Sequence, residues 1–91
     1  MKEANKIYGK AKNIEWREVE GDGLIFSVKK GIFYKLNSTA VFIWKNINGK
    51  NNSNDIIEKL TNKFNVKREC AEKDFFNLIK KFESLKLITK K

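Results

Sequence analysis

The feature that most constrains this chain is a change of period at Asn37. Before it, apolar residues alternate with polar ones at the two-residue repeat of a strand; after it they recur three and four apart, as on one face of a helix. Ile14, Trp16 and Val19 alternate crudely with polar partners, and Gly21-Asp22-Gly23 supplies a turn able to take positive backbone φ. Leu24, Phe26 and Val28 share one face, Lys29-Lys30-Gly31 turns the chain again, and Ile32-Phe33-Tyr34-Lys35-Leu36 is rich in β-formers. The pattern predicts a three-stranded antiparallel meander.

Asn37-Ser38-Thr39 then offers an N-cap, and Ala40, Phe42 or Ile43, Trp44 and Ile47 follow at helical spacing until Gly49. A second helix is expected from a cap at Ser53, with Asp55 in the favourable first turn and Ile56, Ile57, Leu60 and Phe64 on its apolar side, stopping near Asn65. Val66 bridges to a third, from Lys67 or Arg68 to Leu85, whose stripe is Ala71, Phe75, Leu78, Phe82 and Leu85 with Ile79 beside it. Leu87-Ile88 closes the chain as a short packed tail. The order βββααα, with helices gathered on one side of an antiparallel sheet, makes an α+β domain over residues 13–91. Residues 1–12, polar and basic without a sustained period, are expected to form a flexible arm.

Composition removes several function classes. A chain of 91 residues has room for one core. No apolar run is long enough to span a bilayer and no signal-type stretch opens the chain, so a cytoplasmic protein is expected, with no membrane partner. There is no histidine and a single cysteine, Cys70, so neither a disulfide nor a familiar metal or acid-base site can be assembled. Neither catalytic nor metal-ligating residues are expected, and no cofactor; Cys70, near a helix start, is the sole candidate nucleophile and reads more simply as a small packing residue. The formal charge of +9 favours anionic partners, but it is carried almost wholly by lysine, with Arg17 and Arg68 the only arginines. Bidentate arginine is the commonest reader of base edges, so nucleic acid is the disfavoured partner.

One stretch is more specific than period or composition. Gly31-Ile32-Phe33-Tyr34-Lys35-Leu36-Asn37-Ser38-Thr39-Ala40-Val41-Phe42-Ile43-Trp44, then Gly49, then Asp74-Phe75-Phe76-Asn77-Leu78-Ile79 and a closing Leu87-Ile88, resembles the PqqD-like family of precursor-peptide recognition elements. The resemblance covers about residues 14 to 88. It departs at Lys86, where the family often has a glycine, so the last turn of the third helix is expected to close differently.

The resemblance implies a winged helix-turn-helix-like domain with no active site. Such a domain binds the leader of a ribosomally made precursor as an added strand and presents it to a modifying enzyme, for which a radical S-adenosylmethionine protein is the family's suggestion. An edge strand has unpaired amides and carbonyls that an extended peptide can complete, while pockets read alternate side chains. The expected docking edge is Ile32, Phe33, Tyr34, Lys35 and Leu36. On the third helix, Phe76 is expected to line the groove, with Ile79 at its floor and Lys80 on its rim. Lys73, Lys80, Lys81 and Lys35 would suit an acidic leader. Asp74 is either a leader contact or a cap for local backbone. The alternative from another class is a winged-helix DNA binder reading bases with Lys73, Asn77, Lys80 and Ser84.

Overall fold

The computed structural model describes residues 6–91. Five strands and three helices follow in the order β1 (Tyr8–Lys10), β2 (Ile14–Val19), β3 (Asp22–Ser27), β4 (Ile32–Leu36), α1 (Ser38–Asn46), α2 (Ser53–Phe64), α3 (Arg68–Ser84) and β5 (Ile88–Lys90). The expected α+β arrangement is present: β2, β3 and β4 form an antiparallel meander in that order, and three helices follow it.

The turns explain the register. Glu20 and Gly21 both take positive φ, and the pairing that starts at Val19 and Asp22 runs on to Ile14 opposite Ser27. Gly31 also has positive φ, and Ile32 to Leu36 run back along Ser27 to Gly23. The alternation places Ile25 and Ser27 inside with Tyr34 and Leu36, while Leu24, Phe26 and Phe33 lie on the outward face. Gly23 permits the closest approach of sheet to helix, because a Cβ there would collide with the Val41 side chain.

Asparagine sets the starts of α1 and α2, whereas α3 begins after Lys67 without a side-chain cap. The Asn37 side chain accepts from the Ala40 amide at 2.9 Å, as the sequence pattern suggests. For α2 the cap is Asn52, not Ser53. Asn52 and Asp55 form a reciprocal capping box, and Ser53 sits one position inside, buried, with its backbone amide and hydroxyl both donating to the Lys6 carbonyl. α2 ends on left-handed Asn65.

α3, like α2, closes on a left-handed residue, here lysine where α2 has asparagine. Lys86 takes φ +60°, the Leu87 amide donates to the Phe82 carbonyl at 2.9 Å, and the Lys86 amide donates to the Glu83 carbonyl at 3.0 Å. This pair of bonds is a Schellman closure, in which the left-handed position is usually glycine. Lysine occupies it here and the helix still closes.

The largest difference from expectation is at the ends. Tyr8–Lys10 pairs antiparallel with Ile88–Lys90, so part of the expected arm and the expected tail form a two-stranded ribbon. Residues 1–5 of that arm lie outside the described residues. Tyr8 is 2% exposed and belongs to the core, which the polar run around it conceals. The Ile7 carbonyl receives the Lys91 amide and the Tyr8 carbonyl the Gly49 amide, stitching the strand to the far end of the chain and to the turn after α1.

Trp44 sits at the centre of the core, fully buried, with edge-on contacts to Trp16 at 6.4 Å and Phe82 at 5.3 Å. Lys10 reaches over both indoles, 5.0 Å from the Trp44 ring and 5.5 Å from that of Trp16, and its Nζ donates to the Ile47 carbonyl at 2.6 Å. Burial holds its ammonium below the ordinary lysine range.

Candidate functional site

A three-stranded sheet has two open edges, and their surroundings distinguish them. β2 and β4 each pair only with β3 among the described residues. The inward side of β2 faces α1: Trp16, still 41% exposed, lies against Trp44 and under Lys10, and Glu18 pairs with Lys45 at 2.9 Å. β4 runs beside α3 instead. At its start, Lys30 Nζ donates to the Leu85 carbonyl at 3.0 Å. Beyond its end, Asn37 shares a cavity of about 300 Å³ with Thr39, Ala40, Ile43, Asp74, Asn77 and Leu78.

These two fixed points align β4 with the stretch of α3 from Asp74 to Leu85. The four steps of β4 from Ile32 to Leu36 at roughly 3.3 Å each cover about 13 Å, and the eleven helical steps from Asp74 to Leu85 at roughly 1.5 Å each cover about 16 Å. Strand and helix therefore run alongside one another over comparable lengths. Along α3, Asp74, Leu78, Lys81 and Leu85 share the flank toward β4, spaced four, three and four apart. Leu78 and Leu85 are half-buried against the core and form an apolar floor. Lys81 and Asp74 are exposed above it.

The ten residues expected to form the site do not all meet. Ile32, Phe33, Tyr34, Lys35 and Leu36 are β4, and β4 is an edge strand as anticipated. Within it Tyr34 is half-buried and Leu36 buried, whereas Phe33 is 61% exposed on the outward face, stacked at 4.6 Å on Phe26. Asp74 stands at the groove's end. Phe76, Ile79, Lys73 and Lys80 lie on the opposite flank of α3, where with Tyr8 and Lys90 they border a separate cavity of about 610 Å³ beneath the β1–β5 ribbon. Ile79 is buried there, and Phe76 packs edge-on against Phe75 at 5.1 Å.

The reason for the split is geometric. A helical wheel places Phe76 about 100° from the core line, and Leu78 about 60° from it on the other side. It does not say which side the strand occupies. The residues that sequence reasoning left out of the groove are thus Leu78 and Leu85, read as plain core, together with Lys30, Thr39 and Asn77. The signal for the first two lay in their offset from Phe75 and Phe82.

Among the described residues no group of three or more His, Cys, Asp or Glu is placed to hold a metal ion, and no helix is long and apolar enough to cross a membrane. Cys70 is exposed near the start of α3.

The family pattern described as coenzyme PQQ synthesis protein D (PqqD) matches residues 22–88. The chain belongs to the PqqD family. The matched span runs from β3 through the start of β5, so both walls of the groove lie within the PqqD pattern and Tyr8–Lys10 lies before it. No curated protein matches the chain in sequence. Two solved structures share the fold of this PqqD-family chain. One is TbiB1 in complex with the TbiA(beta) leader peptide, with a TM-score of 0.81 at 12% identity, covering 88% of this chain and 93% of the other. The second is a lasso peptide synthetase B1 complexed with the leader peptide, with a TM-score of 0.80 at 20% identity, covering 90% of this chain and 96% of the other.

Proposed function

We propose that this protein is a non-catalytic adaptor that binds the leader of a ribosomally made precursor peptide along β4 and presents it to a modifying enzyme. The observation that carries the reading is the open edge of β4, with α3 beside it at both ends, Lys30 at the Leu85 carbonyl and Asn37 at the cavity it shares with Asp74 and Leu78. An extended peptide would complete the hydrogen bonding of β4 with its backbone and set alternate side chains on Leu78 and Leu85. Membership of the PqqD family, and the leader peptides bound to both structural neighbours, agree with it.

The role is delivery. Holding the leader beside an enzyme makes the enzyme's encounter with the attached core peptide effectively intramolecular and raises its local concentration. A radical S-adenosylmethionine enzyme is the partner that the family suggests. The lysines bordering the groove, Lys30, Lys35 and Lys81, suit a leader that is acidic over most of its length. Lys73 and Lys80, on the far flank, would contribute only to the general positive field.

Titration with synthetic leaders encoded near its gene, at two salt concentrations and with duplex DNA for comparison, tests the reading. Saturable micromolar binding of one leader is expected. Binding of DNA alone, weakening steeply with salt, would instead favour the nucleic-acid reading.

A further inference from the structure

The groove is not electrically uniform, and its ends have opposite character. Where β4 begins, Lys30 lies on the Leu85 carbonyl, with Lys86 next in the chain and Lys81 one turn back on the same flank. Where β4 ends, the cavity is bordered by the Asp74 carboxylate and the Asn77 carboxamide over an apolar base of Ala40, Ile43 and Leu78. Asn37 is committed there to the α1 cap. Neither Asp74 nor Asn77 has a side-chain hydrogen bond or ion pair among the described residues. In a chain of charge +9, an uncommitted carboxylate above an apolar hollow suits an aliphatic stem with a cationic head.

We infer that the Asp74 cavity takes a lysine or arginine of the leader, and that this cation, with acidic residues at the Lys30–Lys81 end, fixes the direction and register of the bound strand. This rests on the leader-strand reading above and adds the identity of the side chains that are read. Every pair in the existing sheet is antiparallel, and a strand added in the same sense places its N-terminal part at Leu36 and its C-terminal part at Ile32. The cation therefore precedes the acidic residues by about four to six positions, the reach of β4 and its flanks, with an even spacing that keeps both side chains on the α3 side. A sheet edge alone permits slippage by two residues; opposite charges at the two ends penalise it.

Selection of a displayed library of random peptides on the intact protein, repeated on Asp74→Asn and Asp74→Lys, tests this. Wild-type winners are expected to carry a Lys or Arg about four or six residues before an acidic residue. Asp74→Asn should lose the preference at the cation position while keeping the acidic one, and should bind the best wild-type peptide about five- to tenfold more weakly. Asp74→Lys should select an acid in place of the cation. Winners that bind β4 without a cation preference, or with one unchanged in Asp74→Asn, would overturn this assignment and leave the strand reading standing. Failure to enrich any peptide, with both variants folded by circular dichroism, would overturn both.

Discussion

Lys86 shows how a single residue can mark a departure in sequence and a cost in structure at once. It holds the left-handed closing position of α3 at φ +60°. A Cβ in that region costs roughly 1 kcal/mol that glycine does not incur. Lys86→Gly is therefore expected to stabilise the fold by about 0.5–1 kcal/mol in urea melts, although glycine in a helix interior does the opposite. No gain would mean that the Schellman bonds hold lysine without strain. Lys10 gives a second test, through pH. Its folded-state pKa is lowered by burial from the ordinary 10.5, so between those two values the unfolded chain binds more protons and the contribution of this group to stability rises with pH. The stability difference between wild type and Lys10→Met should shift in favour of wild type as pH climbs through that window. A constant gap would show that the Ile47 carbonyl and the two indoles offset the desolvation.

Among the elements, the ribbon of β1 and β5 is the part that sequence reasoning could not see. Met1 to Lys12 has no sustained period: among its described residues the strand is three residues long, and the deeply buried Tyr8, beside Ile7 and Gly9, stands in a lysine-rich run. A three-residue strand pairs only with what the rest of the fold brings to it, here a partner eighty positions away. Tyr8→Ala should consequently cost about 3 kcal/mol, as for a core aromatic, where a loosely attached arm would lose less than about 0.5 kcal/mol. Thermal or urea unfolding decides between them. The meander and three helices, by contrast, were legible because period, glycine turns and Asn37 all pointed the same way. Half of the groove was legible too: β4 as an edge follows from its being last in the meander. The helical half was not, since a wheel fixes angles and not the hand in which helix and strand are arranged: Phe76 and Lys80 were expected beside β4, and the structure puts Leu78 and Leu85 on that flank.

At the scale of the whole molecule, the protein is a positively charged body with the edge strand β4 beside α3. The net charge speeds encounter with an acidic leader, so the association rate should fall several-fold between low and physiological salt while the dissociation rate, governed by strand pairing and apolar contact, changes less. Stopped-flow binding of a labelled leader separates the two. A dissociation rate that rose with salt as steeply as association fell would make the recognition mainly electrostatic. The most direct test of strand addition beside α3 is amide mapping by NMR of the isotope-labelled protein during titration with a bound leader. The account predicts shifts and new protection from exchange centred on Ile32 to Leu36, with further shifts at Asp74, Leu78 and Leu85. Shifts confined to Tyr8, Phe76 and Lys80, with the amides of β4 unprotected, would place the peptide on the wrong flank of α3 and contradict it.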